Sequence, residues 1–279
     1  MKFTSLRNKR VLVTGAAAGI GYATALAFAR RGAQLFITDI DEQRLFEARK
    51  AIEELGVPCF SQTADVSKQP SMQAFADRVH DEGGAIDILV NNAGIGYLGP
   101  FIGSPIESWH RTLAVNVMGV VHGCHYFLPR MIEAGGCRRV VNVASLAAIA
   151  PAPNMSAYAA TKSAVLGFSD VLSMELKLAG SSVGVTTICP GVINTDIANS
   201  RANVSAAVSD AQLTKLQSYY RKNGATAELV ADAIVDAVLN GKAIVLVGPF
   251  ARLMYHTKRL SRRLVEKLML AEAKKLGYS

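Results

Sequence analysis

The chain has 279 residues, of which 50% are hydrophobic, and it carries a formal net charge of +8. This composition allows a single domain with a large buried core, and without a run of about eighteen apolar residues we expect no membrane-spanning helix. Four cysteines without metal-binding or redox spacing indicate a reducing compartment, no disulfide framework and no metal site: Cys59, Cys124, Cys137 and Cys189. The apolar run after the basic start breaks at Thr14 and Gly15, too early for a secretion signal, so we expect a cytoplasmic protein.

Short apolar segments alternate with helical patterns along the chain, which is typical of a parallel sheet covered by helices on both faces. The predicted strands are residues 10–14, 34–38, 58–62, 86–90, 139–144, 183–188 and 243–247. We therefore predict an α/β fold with a doubly wound parallel sheet of about seven strands over residues 1–250. A basic helical extension over residues 251–279 follows it.

A glycine-rich turn follows the first predicted strand. Gly15, Gly19 and Gly21 would let the backbone approach a pyrophosphate closely, and amides at the start of the next helix would donate to it. This GxxxGxG spacing differs from the GxGxxG fingerprint, and a tight strand-to-helix turn needs glycine even without a ligand. The second strand ends, however, in Asp39, 24 residues after Gly15, where a ribose-binding carboxylate is expected. The two features together predict a dinucleotide site.

A tyrosine and a lysine at helical spacing carry the predicted chemistry. Tyr158 and Lys162 are four residues apart, so they share one face of a helix. A nearby ammonium lowers the pKa of a phenol, which makes tyrosine a usable general acid/base near neutral pH. Ser145 ends a predicted strand, where it could donate a hydrogen bond to a substrate oxygen. The same spacing also arises by chance on ordinary helices, so the pair gains its meaning from the other motifs.

Taken together, these motifs resemble the short-chain dehydrogenases/reductases in their single-domain form, whose fold is the Rossmann type. The resemblance covers about residues 8–248 and includes motifs in the family's order: residues 14–21, Asp65 with Val66, residues 91–94, Asn116, Ser145, Tyr158 with Lys162, Pro190 with Gly191, and Thr195. No motif departs from the family pattern in a way that suggests lost activity.

The resemblance implies a role for each matching residue. Asp65 would hydrogen-bond the adenine amino group, and Asn116, in a long helix over residues 107–133, would hold a water that links Lys162 to solvent. Without the family pattern, Asn116 is an ordinary polar residue of a helix and Asn91 and Asn92 are turn residues. The implied catalytic residues are Asn116, Ser145, Tyr158 and Lys162. The implied cofactor-binding residues are Gly15, Gly19, Ile20, Gly21, Asp39, Asp65, Val66, Asn92, Ala93, Gly94, Tyr158, Lys162, Pro190, Gly191, Ile193 and Thr195.

The resemblance also sets the expected reaction and cofactor. It implies an NAD(P)-dependent oxidoreductase that interconverts an alcohol and a ketone or aldehyde, assembled as a homodimer or homotetramer. Asp39 would repel a 2′-phosphate, and Ala18 and Ile40 stand where relatives that use NADP often carry a cation, so we expect NAD rather than NADP. The alternative is a non-catalytic scaffold or regulator that binds a dinucleotide on the same fold.

Residues 193–223 have weak periodicity, and in the resembling family this stretch covers the substrate. Its larger apolar residues either line a pocket or pack a surface helix: Leu213, Leu216, Tyr219 and Tyr220. With residues 96–98 and 149–153 they predict a lipophilic cleft that holds few charged groups. We therefore expect a lipophilic alcohol or carbonyl substrate.

Most of the positive charge lies at the carboxyl end of the chain. Residues 251–279 hold eight lysines and arginines against two glutamates, a balance of +6. Leu260, Leu264 and Leu268 recur at helical spacing, so the segment is interpreted as a basic amphipathic helix. It could lie on an anionic membrane, contact a partner, fold back over the substrate mouth, or pack on its own core with a solvated basic face. Nucleic-acid binding is not expected, because aromatic residues are not interleaved with the cations.

Overall fold

Seven strands form the centre of the computed structural model, which describes residues 2–195 and 201–277. They are β1 (Arg10–Thr14), β2 (Gln34–Thr38), β3 (Cys59–Ser61), β4 (Ile88–Asn91), β5 (Arg138–Val143), β6 (Val183–Pro190) and β7 (Ile244–Val247). Every pair of neighbours is parallel, in the order β3-β2-β1-β4-β5-β6-β7. The predicted doubly wound sheet is confirmed.

The helices cover both faces of this sheet. They are α1 (Gly19–Ala29), α2 (Glu42–Glu53), α3 (Gln69–Gly83), α4 (Ile106–Leu113), α5 (Gly119–Glu133), α6 (Ser156–Leu178), α7 (Asp210–Asn223), α8 (Ala227–Asn240), α9 (Ala251–Leu260) and α10 (Arg262–Lys275). Residues of α1, α2 and α8 form one apolar core with the sheet, and residues of α3, α5 and α6 form the other. Because both faces are buried, the central strands are continuous apolar runs rather than alternating ones.

The fourth strand begins at Ile88, two residues later than predicted. Asp87 precedes it, and its carboxylate accepts a hydrogen bond of 2.9 Å from the amide of Arg10 and one of 3.2 Å from Arg138. A charged side chain that bonds to both neighbouring strands therefore marks the start of β4.

The long helix predicted over residues 107–133 is interrupted. Helix α4 ends at Leu113, a π-helical segment spans Ala114–Met118, and α5 begins at Gly119. Such a wide turn is typical of functional sites, and here it contains Asn116.

The carboxyl-terminal segment also differs from the single helix that the sequence suggests. Ser261 has an extended backbone and separates α9 from α10, and its hydroxyl accepts a hydrogen bond from the amide of Leu264. Both helices pack on the rest of the chain. Val265 and Met254 contact Ala150 in one apolar cluster, and Ala273 joins a second cluster with Leu98, Val208 and Leu213. The helices in the described part of the chain are too short or too polar to span a membrane.

Candidate active site

A cavity of about 1220 Å³ lies at the carboxyl ends of the strands. Residues that follow β1, β2, β4, β5 and β6 all line it, including Gly15, Asp39, Asn92, Ser145 and Pro190. Strand order reverses between β1 and β4, and in open α/β sheets ligands bind at this kind of switch point. The fold therefore places the cavity where a dinucleotide is expected.

The turn after β1 leaves room for a ligand against its backbone. Gly15 has a φ of +65° and Gly19 one of +54°, and a β-carbon on Gly15 would lie 2.7 Å from the α-carbon of Ala93. Helix α1 begins at Gly19, and no side chain among the described residues caps its first amides. Free amides at a helix start bind anions well. Gly21 does not line the cavity, because it packs against the carbonyl of Gly15, which a β-carbon at this position would overlap.

Hydrogen bonds between β1 and β4 hold this turn in place. The hydroxyl of Thr14 accepts hydrogen bonds of 3.1 Å from the amides of Asn92 and Ala93. The side-chain amide of Asn92 donates to the carbonyls of Thr14 and Gly15, at 3.0 and 3.1 Å. Asn92, Ala93 and Gly94, which are predicted to contact the cofactor, line the cavity. Asn91 does not, because it is buried in the sheet and donates to the side chain of Asn142.

Two carboxylates lie at the β2 end of the cavity. Asp39 accepts hydrogen bonds from the amides of Ala17, at 3.0 Å, and Asp41, at 3.1 Å. One oxygen of Asp65 accepts hydrogen bonds from the amide and hydroxyl of Ser67, and no other described residue donates to its second oxygen. Ile20 and Val66, also predicted to contact the cofactor, line the same cavity.

Ser145, Tyr158 and Lys162 come together on the cavity wall. Lys162 is buried, its ammonium donates a hydrogen bond of 2.9 Å to the carbonyl of Val143, and it lies 5.8 Å from the centre of the Tyr158 ring. Ser145 accepts a hydrogen bond of 3.1 Å from the amide of Ala147 and also hydrogen-bonds Tyr158. The end of β5 and the start of α6 therefore hold the three predicted side chains as one group.

Burial opposes charge on both titratable groups of this site. It raises the pKa of Tyr158 above its ordinary value, and the hydrogen bond with Ser145 opposes that shift. Burial lowers the pKa of Lys162 to about 8. The sequence-based prediction of a lowered Tyr158 pKa is therefore wrong in direction, because removal of the phenolate from water outweighs the other effects.

Asn116 lies behind the cavity wall rather than on it. Its side chain accepts a hydrogen bond of 2.8 Å from the amide of Ile95 and donates to the carbonyl of Ile95 and the hydroxyl of Thr161. A β-carbon on Gly94 would lie 3.2 Å from Oδ1 of Asn116 and 3.3 Å from Nζ of Lys162. Asn116 thus ties the loop after β4 to helix α6, next to Lys162.

The last predicted cofactor contacts lie at the end of β6 and in the residues that follow it. Pro190, Gly191, Ile193 and Thr195 all line the cavity. The side chain of Thr195 lies 3.6 Å from where a β-carbon of Gly19 would be, so the end of β6 faces the turn after β1.

The comparisons with known proteins agree with this geometry. The model of the short chain dehydrogenase family matches residues 9–205. The chain belongs to this family. Two relatives from Mycobacterium tuberculosis carry the word oxidoreductase in their names. EphD is 43% identical over 254 residues, which are 90% of this chain and 43% of EphD, so the chain spans less than half the length of that relative. SadH is 34% identical over 269 residues, 96% of each chain.

Solved structures of other dehydrogenases have the same fold. One from Burkholderia phymatum, in complex with NAD, has a TM-score of 0.86 and 29% identity over 94% of this chain and 96% of its own. The alcohol dehydrogenase of Thermococcus sibiricus, complexed with 5-hydroxy-NADP, has a TM-score of 0.69 and 26% identity over 82% of this chain and 89% of its own. These neighbours of the short-chain dehydrogenase described here thus bind NAD or an NADP derivative.

Helices α7, α9 and α10 form part of the remaining cavity wall of this short-chain dehydrogenase, together with His110 and Arg111 of α4 and residues of the loops after β4 and β5. Leu216, Tyr219 and Tyr220 of α7 line it, which is one of the two interpretations that the sequence left open. Leu213 does not, because it packs under Ala273 in the apolar cluster between α7 and α10. Residues 196–200 of the predicted substrate-covering stretch lie outside the described part of the chain.

Sequence reasoning named no individual wall residue in the carboxyl-terminal helices. Leu253 and Met254 of α9 and Leu268 and Met269 of α10 line the cavity. Of the four open interpretations of this segment, the structure shows packing on the enzyme's own core, and the same two helices also form part of the cavity wall. The apolar spacing in residues 251–276 was the available signal, but it could not say which surface the apolar side would face.

Proposed function

We propose that this short-chain dehydrogenase is an NAD(P)-dependent enzyme that interconverts a lipophilic alcohol with its ketone or aldehyde. The observation that carries the proposal is the group of Ser145, Tyr158 and Lys162, which shares one cavity with the glycine turn after β1. A proton-transfer group and an anion-binding turn in one cavity support hydride-transfer chemistry better than a binding role alone.

The residues present fit a nicotinamide dinucleotide. The free amides at the start of α1 would hold the pyrophosphate, and Asp39 would accept hydrogen bonds from the adenosine ribose. Asp65 would receive the adenine amino group on its available oxygen. When bound, the cofactor supplies the hydride acceptor or donor for the reaction.

Three side chains would act on the substrate oxygen. In alcohol oxidation the Tyr158 phenolate takes the hydroxyl proton, and in carbonyl reduction the Tyr158 phenol returns a proton to that oxygen. Ser145 donates a hydrogen bond to the oxygen and stabilises its developing charge. The ammonium of Lys162 stabilises the phenolate and binds the nicotinamide ribose. Asn116 positions Lys162 through the Ile95 loop and Thr161, and the water assigned to it in relatives would adjoin this group.

Cofactor preference follows from the β2 end of the cavity. The charge of Asp39 would repel a 2′-phosphate, and neither Ala18 nor Ile40 can offset it. We therefore assign NAD as the preferred cofactor and NADP as the less favoured one.

The substrate side supports a lipophilic molecule. Aliphatic and aromatic side chains of α7, α9 and α10 form its wall, and the charged pair Glu272 and Lys275 there forms its own ion pair at 2.8 Å. An apolar ligand would bury this surface without breaking the ion pair of Glu272 and Lys275.

Assembly as a homodimer or homotetramer is part of the proposal. Helices α5 and α6 and the adjoining π-helical segment expose large apolar side chains: Met118, Ile132, Val171, Met174 and Leu178. A paired helix face would remove them from water. We also propose that the enzyme acts in the cytoplasm.

The test is turnover with a panel of lipophilic primary and secondary alcohols and their carbonyl counterparts, each with NAD(H) and NADP(H), followed by the absorbance of the reduced nicotinamide. Hydroxy acids of equal chain length are the matched polar controls. We expect turnover of the lipophilic members and little of the acids. Tight cofactor binding without turnover across the whole panel would instead support a non-catalytic scaffold.

A further inference from the structure

The carboxyl-terminal helices expose leucines to solvent although they pack on the enzyme through another face. Leu260 is 89% exposed, Leu253 62% and Leu264 48%, whereas Met254 and Val265 are buried against the rest of the chain. Exposed leucines on consecutive helices form an apolar patch that the fold itself does not cover, and such patches mark interaction sites.

Helical spacing sorts these helices into distinct faces. In α9, Leu253 and Leu260 are seven residues apart and so share a face, and Arg252 and Arg259 share the face beside it. In α10, Leu264 and Leu268 share a face. Arg263, Lys267 and Lys274 lie on the adjoining faces of α10. Each helix thus presents exposed leucines flanked by cations, while a third face packs on the core.

Charge on this surface is mostly positive, and ion pairs within it neutralise little of that charge. Residues 251–279 contribute +6 of the formal +8 of the chain. Within the described residues 251–277, only Lys275 has an ion-pair partner, Glu272. The guanidinium of Arg259 lies 4.4 Å from the centre of the Tyr255 ring, which keeps it on the α9 surface. The surface therefore fits an anionic occupant.

Some of the same leucines also line the cavity. Leu253 and Leu268 are cavity residues, yet Leu253 is 62% and Leu268 39% exposed. The cavity wall and the exposed leucine patch are therefore continuous through α9 and α10.

We propose that α9 and α10 dock on an anionic lipid surface, with Leu260 and Leu264 in the headgroup boundary and the flanking cations on the headgroups. This step goes beyond the proposed function and does not depend on catalysis. Leucines enter a bilayer boundary favourably, whereas a nucleic-acid backbone offers them nothing apolar to contact. A second copy docked on the same patch through a two-fold axis would face its own +6 charge, which opposes that pairing.

The first experiment is co-sedimentation of the full chain, without cofactor or substrate, with vesicles of phosphatidylcholine alone or mixed with phosphatidylglycerol. We expect binding to the anionic vesicles at about 0.01 M salt and loss of most of it at about 1 M salt, because screening shortens the reach of the charges. No binding to anionic vesicles at low salt overturns the proposal. So does equal binding to both kinds of vesicle.

A matched pair of substitutions tests the apolar part. Leu264 and Leu229 are both 48% exposed, and each amide donates to the hydroxyl at the start of its own helix, Ser261 or Thr226. Leu264→Ser should weaken vesicle binding about fivefold or more, and Leu229→Ser should not change it. Equal weakening by the two variants would overturn the assigned surface.

Two double variants test the contribution of the cations on α10. The double variant Arg263→Gln with Lys267→Gln should weaken vesicle binding about tenfold or more. The control is the double variant Lys50→Gln with Lys177→Gln, on exposed positions of α2 and α6, which should weaken vesicle binding much less. Equal loss in both pairs would mean non-specific attraction of a basic protein and would overturn the proposal. A lower oligomer mass of Leu264→Ser, or preferential binding of duplex DNA over vesicles, would also overturn it. Retained vesicle binding by a catalytically dead Tyr158→Phe variant keeps this test separate from the proposed reaction.

Discussion

The ammonium of Lys162 lies 5.8 Å from the centre of the Tyr158 ring, and its hydrogen bond to the carbonyl of Val143 holds it there. Burial disfavours the charged form of each group, because it raises the pKa of Tyr158 and lowers the pKa of Lys162. A phenolate and an ammonium formed side by side would stabilise each other in this buried setting. The two residues are therefore expected to work as a unit.

The first prediction concerns proton transfer. Tyr158→Phe removes the phenol but keeps the ring, so turnover should fall by about two to four orders of magnitude, while cofactor affinity should change little. Tyr126→Phe, on α5 and outside the cavity lining, is the matched control and should keep its turnover. Steady-state kinetics and cofactor titration measure both. Near-normal rates of Tyr158→Phe on the true substrate would contradict the mechanism.

The second prediction concerns stability as a function of pH. Burial lowers the pKa of Lys162 from 10.5 in the unfolded chain to about 8. Below that lower value both states carry the proton, so the folded state bears the full penalty of a buried charge. Between the two values only the unfolded state keeps the proton, so the penalty shrinks as pH rises. Lys162→Met should therefore be more stable than the parent by about 2 kcal/mol near neutral pH, with less difference near about pH 10.

Urea unfolding of the parent and Lys162→Met at the two pH values measures this difference. Lys177→Met, on an exposed position of α6, is the control, and its stability difference should be the same at both pH values. If the difference in unfolding free energy between Lys162→Met and the parent does not change with pH, Lys162 does not carry a buried charge. The variant should also lose turnover and cofactor affinity, because one ammonium serves the phenol and the ribose.

Local patterns predicted most of the fold and the cavity lining. The central strands are apolar runs buried on both faces, and the glycine turn and the Tyr158 and Lys162 pair lie within short stretches of sequence. Features that the sequence could not predict depend on contacts between residues far apart along the chain. Asn116 bonds to Ile95 and Thr161, 21 and 45 residues away, and Leu213 is covered by Ala273.

The direction of the Tyr158 pKa could not be predicted either, because it depends on how much protein surrounds the phenol. The break between α9 and α10 could have been predicted from the sequence, because serine is a preferred N-cap residue and Ser261 is the N-cap of α10.

The third prediction concerns cofactor choice. The parent should prefer NAD over NADP, and Asp39→Asn should shift the ratio of the two kcat/KM values toward NADP by about tenfold or more, because the charge that repels a 2′-phosphate is lost. Asp41→Asn is the matched control. Asp41 is the N-cap residue of α2, and its side chain accepts a hydrogen bond from the amide of Arg44. Because Asp41 does not line the cavity, the NAD-to-NADP ratio of kcat/KM in Asp41→Asn should stay within about threefold of the parent ratio. A parent that prefers NADPH, or an equal shift in both variants, would contradict the assignment.

The last prediction concerns the contribution of residues 251–279 to the enzyme itself. Removal of everything after Phe250 takes away Val265 and Ala273, which are buried against Ala150 and Leu213. It also removes the cavity wall that Leu268 contributes. The shortened chain should therefore have a lower Tm and a higher KM for lipophilic alcohols.

Two point variants of the full chain separate these effects and remain informative if the shortened chain does not fold. Val265 is buried but does not line the cavity, so Val265→Ala should lower the free energy of unfolding by about 1 to 2 kcal/mol with little change in KM. Leu268 lines the cavity and is 39% exposed, so Leu268→Ala should raise KM with a smaller change in stability. Urea unfolding and steady-state kinetics on the two variants give both quantities. If neither variant changes either quantity and the shortened chain keeps its Tm, the helices are an independent appendage rather than part of the substrate-binding wall.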